Sequence, residues 1–339
     1  MKTSFDQMMA QATQLTRAGD LQAATAAIQA ALGARPGPSN DDVCVIDVEA
    51  REVGSKDAGL FVAGRHAHHA AGTRDYKLYV PPAHHGQALP LVVMLHGCTQ
   101  DPDDFARGTR MNDAARERGF LVLYPAQAQG ANVSRCWNWF KHNHQGRGRG
   151  EPALLADMTH DVMKRHGVDP RRVYVAGMSA GGAMAAILGD SYPELFAAVG
   201  VHSGLPTGSA TDAKSAFDAM KRGAHAPGVP TSGAPPVIVF HGDQDTTVHP
   251  INGHHIAAAR AAATAPERQR MRSQNGRDYT RALYRDADGQ VMAEHWVVHG
   301  EGHAWSGGSP SGSYTDSKGP DATEEMLRFF FARAKVAAC

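Results

Sequence analysis

The stretch of sequence that decides the fold runs Val173-Tyr174-Val175-Ala176-Gly177-Met178-Ser179-Ala180-Gly181-Gly182. Its first four residues are an uninterrupted apolar run, which is typical of a strand covered on both faces. Residues 181–191 are mostly small and favour a helix. Between the two lies the pattern G-x-S-x-G, whose glycines allow a serine to occupy a sharp strand-to-helix turn above the sheet. The alternative is a glycine-rich turn without a chemical role, but the strand before it and the helix after it favour an exposed serine.

Other parts of the chain repeat this alternation of buried strand and helix. Continuous apolar runs occur at residues 91–95, 121–124, 197–201 and 237–240. Helical patterns occur near residues 113–118, 154–166 and 251–263. The alternation predicts the α/β class, with a mostly parallel central sheet and helices on both of its faces.

The flanking segments have other patterns. Short β-rich segments at residues 44–53, 59–65 and 74–80 predict an opening antiparallel meander. A hairpin is expected over residues 279–285 and 291–298, and a last amphipathic helix over residues 323–335.

The N-terminal region predicts a separate unit. Apolar residues at helical spacing predict a helical hairpin over residues 1–35, followed by a breaker-rich linker at 36–43 and a catalytic α/β domain at 44–339. Because one such hairpin cannot bury its own apolar face, we expect residues 1–33 to serve docking or homo-oligomerisation.

Composition excludes several classes of protein and partner. The 339 residues carry 34 Lys and Arg against 34 Asp and Glu, so no basic excess points to nucleic acid. No stretch is long and apolar enough to predict a membrane span, and no apolar segment follows the N-terminus as in a secretory signal, which predicts a cytoplasmic protein. The four cysteines lack metal-ligand spacing, so neither a metal nor another cofactor is expected.

A serine nucleophile needs a histidine base and an acid, which follow it in this chain order. His303 lies in a glycine-flanked loop after the last predicted strand, and His299, at the end of that strand, is the weaker candidate base. The acid is expected in the polar loop after residues 237–240, where Asp243 and Asp245 both remain candidates.

Two loops complete the predicted site. The amide of Ala180 and the backbone of Cys98 are the expected oxyanion donors. Cys98 itself is a poorer nucleophile candidate, since it has no obvious base, and Gln100 could orient its loop or touch substrate. A disulfide between Cys98 and Cys136 stays open. Three aromatic residues are the expected apolar cleft wall, although packing under a long loop is the alternative: Trp137, Trp139 and Trp305.

Five ordered motifs together are more specific than G-x-S-x-G alone. They are His96-Gly97-Cys98-Thr99-Gln100, Cys136-Trp137-Asn138-Trp139, Gly177-Met178-Ser179-Ala180-Gly181-Gly182, His241-Gly242-Asp243-Gln244-Asp245 and Gly302-His303-Ala304-Trp305. The combination resembles the polyhydroxybutyrate depolymerase-like esterase family, which is related to feruloyl and acetyl-xylan esterases and has the α/β-hydrolase fold. The resemblance implies Ser179 as nucleophile, Asp245 as acid and His303 as base, with Cys98 and Ala180 at the oxyanion hole.

The resemblance also implies an activity. We expect a serine carboxylic-ester hydrolase that needs no cofactor and acts through an acyl-enzyme on small hydroxyalkanoate, feruloyl-type or short acyl and aryl esters. Two alternatives stay open: an acyltransferase on the same scaffold, and an interaction protein with a vestigial site.

Overall fold

The computed structural model describes residues 58–69, 71–82, 86–224, 233–260 and 265–335. The predicted hairpin at 1–35, the linker at 36–43 and the predicted strand at 44–53 lie outside these residues. The expectation of a docking or oligomerisation unit at the N-terminus is therefore still a prediction.

A ten-stranded sheet organises the described part of the chain. Its strands are β1 (Leu60–His68), β2 (Gly72–Val80), β3 (Leu91–Leu95), β4 (Leu121–Pro125), β5 (Val173–Met178), β6 (Ala198–His202), β7 (Val237–Gly242), β8 (Glu267–Arg272), β9 (Asp278–Arg285) and β10 (Val291–Val298). They lie in the order β1-β2-β4-β3-β5-β6-β7-β10-β9-β8. The central strands from β4 to β10 pair in parallel, and both outer ends of the sheet are antiparallel. The predicted mostly parallel sheet is confirmed.

Seven α-helices occur within the described residues. They are α1 (Pro102–Thr109), α2 (Met111–Arg118), α3 (Gly150–His166), α4 (Ala180–Ser191), α5 (Ala213–Arg222), α6 (Ile251–Ala258) and α7 (Ala322–Phe331), with one 3₁₀ turn at His142–His144. None of them has both the length and the apolar character that crossing a bilayer requires.

Both faces of the sheet are covered, as the continuous apolar runs predict. Every residue of β3 is buried, and its side chains alternate between two clusters. Leu91, Val93 and Leu95 belong to the cluster that includes residues of α3 and α4, whereas Val92 and Met94 pack with residues of α1, α2 and α7. This two-sided burial fixes the carboxyl ends of the parallel strands, where the loops with the predicted site residues begin.

Some elements differ from their predictions. Three were not predicted at all: α1, α5 and the exposed strand β8. The last helix, α7, ends at Phe331 rather than at residue 335, and α6 ends at Ala258 rather than at residue 263. A two-residue pairing of β11 (Trp305–Ser306) with β12 (Thr315–Asp316) also follows β10.

Candidate active site

Ser179 occupies the sharp turn between β5 and α4 that the sequence predicts. Its backbone has φ 56° and ψ −119°, a left-handed conformation that is rare for a residue with a side chain. The amide of Ser179 donates to the carbonyl of His202, 2.9 Å away. A Cβ on Gly181 would collide with the carbonyl oxygen of Leu95, so α4 can approach the end of β3 only with glycine there. The turn is thus held strained between two neighbouring strands.

The loop after β7 brings Asp245 to His303. The Nδ1 of His303 lies 2.7 Å from the Oδ2 of Asp245. The other carboxylate oxygen, Oδ1, accepts hydrogen bonds from the amides of Thr247 and Val248, each at 2.8 Å. Burial opposes ionisation of Asp245, but hydrogen bonds from His241 and His303 outweigh it and lower the pKa of the carboxyl far below its ordinary value. Asp245 is therefore a buried carboxylate that can orient an imidazole.

Asp243, the other candidate acid, has a different partner. Its Oδ2 lies 2.9 Å from the Nδ1 of His299, and its Oδ1 accepts from the amide of Gly300 at 2.7 Å. The Nε2 of His299 lies 2.8 Å from the hydroxyl of Thr280 on β9. The two aspartates and two histidines therefore form separate pairs, and of these four residues only His303 lines the cavity over Ser179.

A cavity of about 270 Å³ opens over the turn at Ser179. Ser179 and His303 both line it, so the structure brings the serine and the imidazole to one space. The remaining lining residues are small, apolar or uncharged: Gly97, Cys98, Gln100, Met178, Met220, Thr247 and Tyr314. Its volume is near the lower end of the range of ligand pockets, which suits a small group.

The predicted oxyanion donors flank the serine. Ala180 is the first residue of α4, and an amide at that position has no acceptor within its own helix. Cys98 lines the cavity from the loop after β3. A disulfide joins Cys98 to Cys136, so the pairing left open by the sequence is present in the structure. The bond ties the Cys98 loop to the loop that follows β4.

Gln100 is buried and holds the Cys98 loop in shape. Its Oε1 accepts from the amide of Gly97 at 2.9 Å, and its Nε2 donates to Asp104 at 2.9 Å and to Ser313 at 3.3 Å. Gln100 also reaches the cavity wall. Of its two expected roles, orientation of the loop is the one with explicit hydrogen bonds.

The three predicted cleft-wall tryptophans are not at this cavity. Trp137 is fully buried and donates its Nε1–H to the carbonyl of His96 at 3.1 Å. Trp139 is buried against Phe140, and the Nε1 of Trp305 donates to Thr323 at 3.1 Å. Their indoles pack in the core beneath the loops, because each large ring finds its apolar neighbours there. Direct contact of these residues with substrate stays a prediction without support from this geometry.

His202 is a site residue that sequence reasoning missed. Its carbonyl accepts from Ser179, and its Nε2 accepts from the amide of Ser306 at 2.9 Å. Burial lowers the pKa of His202 well below the ordinary value, so the ring is neutral. It therefore joins the serine turn to the loop that carries His303. Its position at the end of β6 was the one available signal.

Three cavity residues were also missed: Met220 of α5, Thr247 and Tyr314. Tyr314 adopts φ 53°, and its hydroxyl lies 3.1 Å from that of Thr99. No local sequence motif identifies these three residues as cavity residues, because they are far apart in the chain and meet only in the folded structure. Within the described residues, no group of three or more His, Cys, Asp or Glu side chains could hold a metal ion.

Comparison with solved structures identifies the class. An acetyl xylan esterase from Aspergillus awamori matches the structure with a TM-score of 0.63 at 20% sequence identity, covering 80% of this chain and 99% of that one. The parallel sheet and the serine at its strand-to-helix turn define a protein of the α/β-hydrolase fold.

The chain belongs to the Esterase PHB depolymerase family, whose model matches residues 74–276. It is 30% identical over 231 residues to "Poly(3-hydroxyalkanoate) depolymerase C" of Paucimonas lemoignei, covering 63% of this chain and 54% of that protein. It is 31% identical over 179 residues to "Feruloyl esterase B" of Thermothelomyces thermophilus, covering 48% of this chain and 60% of that protein. The chain thus spans little more than half the length of these relatives.

Proposed function

We propose that the protein is a serine carboxylic-ester hydrolase. The observation that carries the proposal is the shared cavity of Ser179 and His303, with the Nδ1 of His303 2.7 Å from the buried carboxylate of Asp245. Because a carboxylate only accepts hydrogen bonds, Nδ1 carries the proton and Nε2 is left free to act as a base. Membership of an esterase family supports the same assignment.

In the proposed reaction, the hydroxyl of Ser179 attacks the ester carbonyl while the Nε2 of His303 takes its proton. Asp245 fixes the orientation of the imidazole and stabilises its protonated form. The amides of Ala180 and Cys98 donate to the oxyanion of the tetrahedral intermediate. His303 then protonates the departing alcohol. Water attacks the acyl-enzyme while the Nε2 of His303 takes its proton, and the return of that proton to the oxygen of Ser179 releases the carboxylic acid.

The cavity favours a short and uncharged acyl group. It holds about 270 Å³, and no Lys, Arg, Asp or Glu is among the described residues that line it. A small hydroxyalkanoate or short acyl ester fits this chemistry, and aryl or feruloyl-type groups would extend into the open mouth. The names of the relatives, a polyhydroxyalkanoate depolymerase and a feruloyl esterase, agree with this range.

The test compares wild type with Ser179→Ala on p-nitrophenyl acetate and butyrate. We expect kcat to fall at least about a thousandfold, because the reaction then has no nucleophile. Ser191→Ala, at the other end of α4, is the matched control and should keep wild-type activity. Equal rates for wild type and Ser179→Ala, with both proteins folded, would reject the proposal.

A further inference from the structure

A second histidine touches the carboxylate of Asp245. His241 is fully buried near the end of β7. Its Nε2 lies 2.9 Å from the carbonyl of Val248 and 3.4 Å from the Oδ2 of Asp245. A carbonyl and a carboxylate can only accept hydrogen bonds, so the proton of His241 must be on Nε2. The oxygen it faces is the one that also binds the Nδ1 of His303.

The other nitrogen of His241 faces the interior. Its Nδ1 is buried and has no hydrogen-bond partner among the described residues. It lies against Gly253 of α6, where a Cβ would be 2.8 Å from this atom and 3.1 Å from the Nε2 of His295 on β10. Nε2 is therefore the ring nitrogen that donates, toward the carbonyl of Val248 and, at the longer distance, toward Oδ2 of Asp245.

Two other buried histidines lie near His241. His295 on β10 and His202 on β6 are buried, and burial lowers the pKa of each, that of His295 to about 3. His254 of α6 and Arg268 of β8 also disfavour a positive charge at His295. Asp245 is thus the single carboxylate in this set, and two imidazoles converge on it.

We propose that His241 is a positioning residue, which holds Asp245 through an Nε2–H donor while the Nδ1–H of His303 donates to the same carboxylate oxygen, Oδ2. The proposal rests on the proposed hydrolase function. His241 is buried and does not line the cavity, so it acts on Asp245 and not on the substrate. It fixes the carboxylate rotamer and shares the negative charge, so that His303 releases its proton readily between the two steps of the reaction.

A direct consequence is a change in the pH dependence of the reaction. Without the His241 donor, the charge on Oδ2 is balanced by the His303 proton alone, and the pair binds that proton more tightly. The acidic limb of the kcat/KM profile should therefore move to higher pH. A side chain that only filled space would leave this limb in place.

The experiment measures kcat/KM against pH for His241→Leu and His241→Gln. For His241→Leu we expect a loss of about ten- to a hundredfold at neutral pH, the effect of one hydrogen bond to a charged group, and an acidic limb moved up by about one pH unit. His241→Gln can place an amide donor near the Nε2 position and should recover most of both. His66→Leu removes another buried histidine, which is hydrogen-bonded to Asp157, and should not move the limb.

A second variant covers the case in which His241→Leu does not fold. Gly253→Ala keeps the histidine but places a methyl group against its Nδ1, so it should push the imidazole and shift the acidic limb in the same direction. An unmoved limb in every folded variant, or equal losses for His241→Leu and His241→Gln, would overturn the proposal.

The low-field proton NMR signal of the Nδ1–H between His303 and Asp245 gives a readout that does not depend on activity. It should shift in His241→Leu and stay in place in His66→Leu; an unchanged signal would reject the positioning role. If Ser179→Ala kept full activity, the hydrolase mechanism would fail, and this signal would still decide the role of His241.

Discussion

At the scale of residues, two aspartates that are two positions apart have different surroundings. Asp245 is buried and paired with His303 beside the cavity, whereas Asp243 is half-exposed and paired with His299. Composition and chain order could not separate them. Their difference arises from the loop backbone, which directs one carboxylate toward His303 and the other toward His299, just after β10.

Single Asn substitutions test this difference. Asp245→Asn should lower kcat by about four orders of magnitude, because an amide in place of the carboxylate favours the wrong tautomer of His303. Asp243→Asn removes a contact with His299 away from the cavity and should change kcat less than about tenfold. Steady-state kinetics on p-nitrophenyl butyrate provide the measurement, and a larger loss at Asp243 would reassign the acid.

Glu301 is a buried acid in the loop that leads to His303. Its side chain is fully buried near Asp316, Ser306 and Arg277. Burial raises the pKa of Glu301 from 4.5 to about 9; the contact with Ser306 opposes the rise and Asp316 adds to it. At neutral pH the folded protein therefore holds a proton on Glu301 that the unfolded chain releases.

This protonation makes stability depend on pH. Between the unfolded value of 4.5 and the folded value of about 9, the native state binds one more proton, so the free energy of unfolding falls as pH rises. The slope from this group is at most about 1.4 kcal/mol per pH unit. Glu301→Gln imitates the neutral form and should flatten the slope, as measured by urea unfolding at pH 6, 7 and 8. The same slope in both proteins would contradict the buried neutral acid.

At the scale of elements, α5 lines the cavity through Met220, and neither the helix nor this contact was predicted from the sequence. Met220 lies in its last turn and is partly buried against the core. The helix has a capping box at Asp212 and Ser215, a local signal that could have located it. No local signal could have told which cavity it borders, because that depends on the loop after β7, whose Thr247 lines the same cavity as Met220.

Met220→Ala should widen the cavity and change the preference for acyl length. Removal of the side chain leaves space for additional methylene groups, so the ratio of kcat/KM for p-nitrophenyl hexanoate over acetate should rise at least about fivefold. Met163→Ala, a partly buried methionine of α3 that does not line the cavity, is the matched control. An unchanged ratio would mean that the acyl group binds elsewhere.

The central strands were predictable because burial on both faces requires apolar residues at every position. In strands β3 to β7 every residue is buried, and most are apolar. β8 was missed because Glu267–Arg272 is exposed along its whole length and has no apolar alternation to indicate a strand. α1 was missed although Asp101 caps it and Pro102 begins it, because it contains a proline and a glycine (Gly108), which usually mark turns and loops. The turn at Ser179 was readable because its glycines and its flanking elements are contiguous in the chain.

At the scale of the whole molecule, the role of residues 1–35 is open to a direct test. Their apolar residues at helical spacing need a covering surface, so we expect them to mediate self-association or docking. The full chain should then elute from size exclusion with light scattering at a larger mass than expected for one copy, and a chain starting at residue 44 should not. If the shorter chain still hydrolyses p-nitrophenyl butyrate, association and catalysis are separate properties. If the full chain elutes at the mass of one copy, self-association is rejected.

The exposed strand β8 has a consequence for how copies of the protein meet. Among the described residues it is the last strand at one end of the sheet, and an unpaired strand edge can pair with a strand of another chain. Along this strand Arg268, Arg270 and Arg272 recur at every second position. Asp278 pairs with both Arg270 and Arg272, so positive charge remains along the strand when two such edges approach. Fibril-like growth by edge-to-edge pairing of two β8 strands is thereby discouraged.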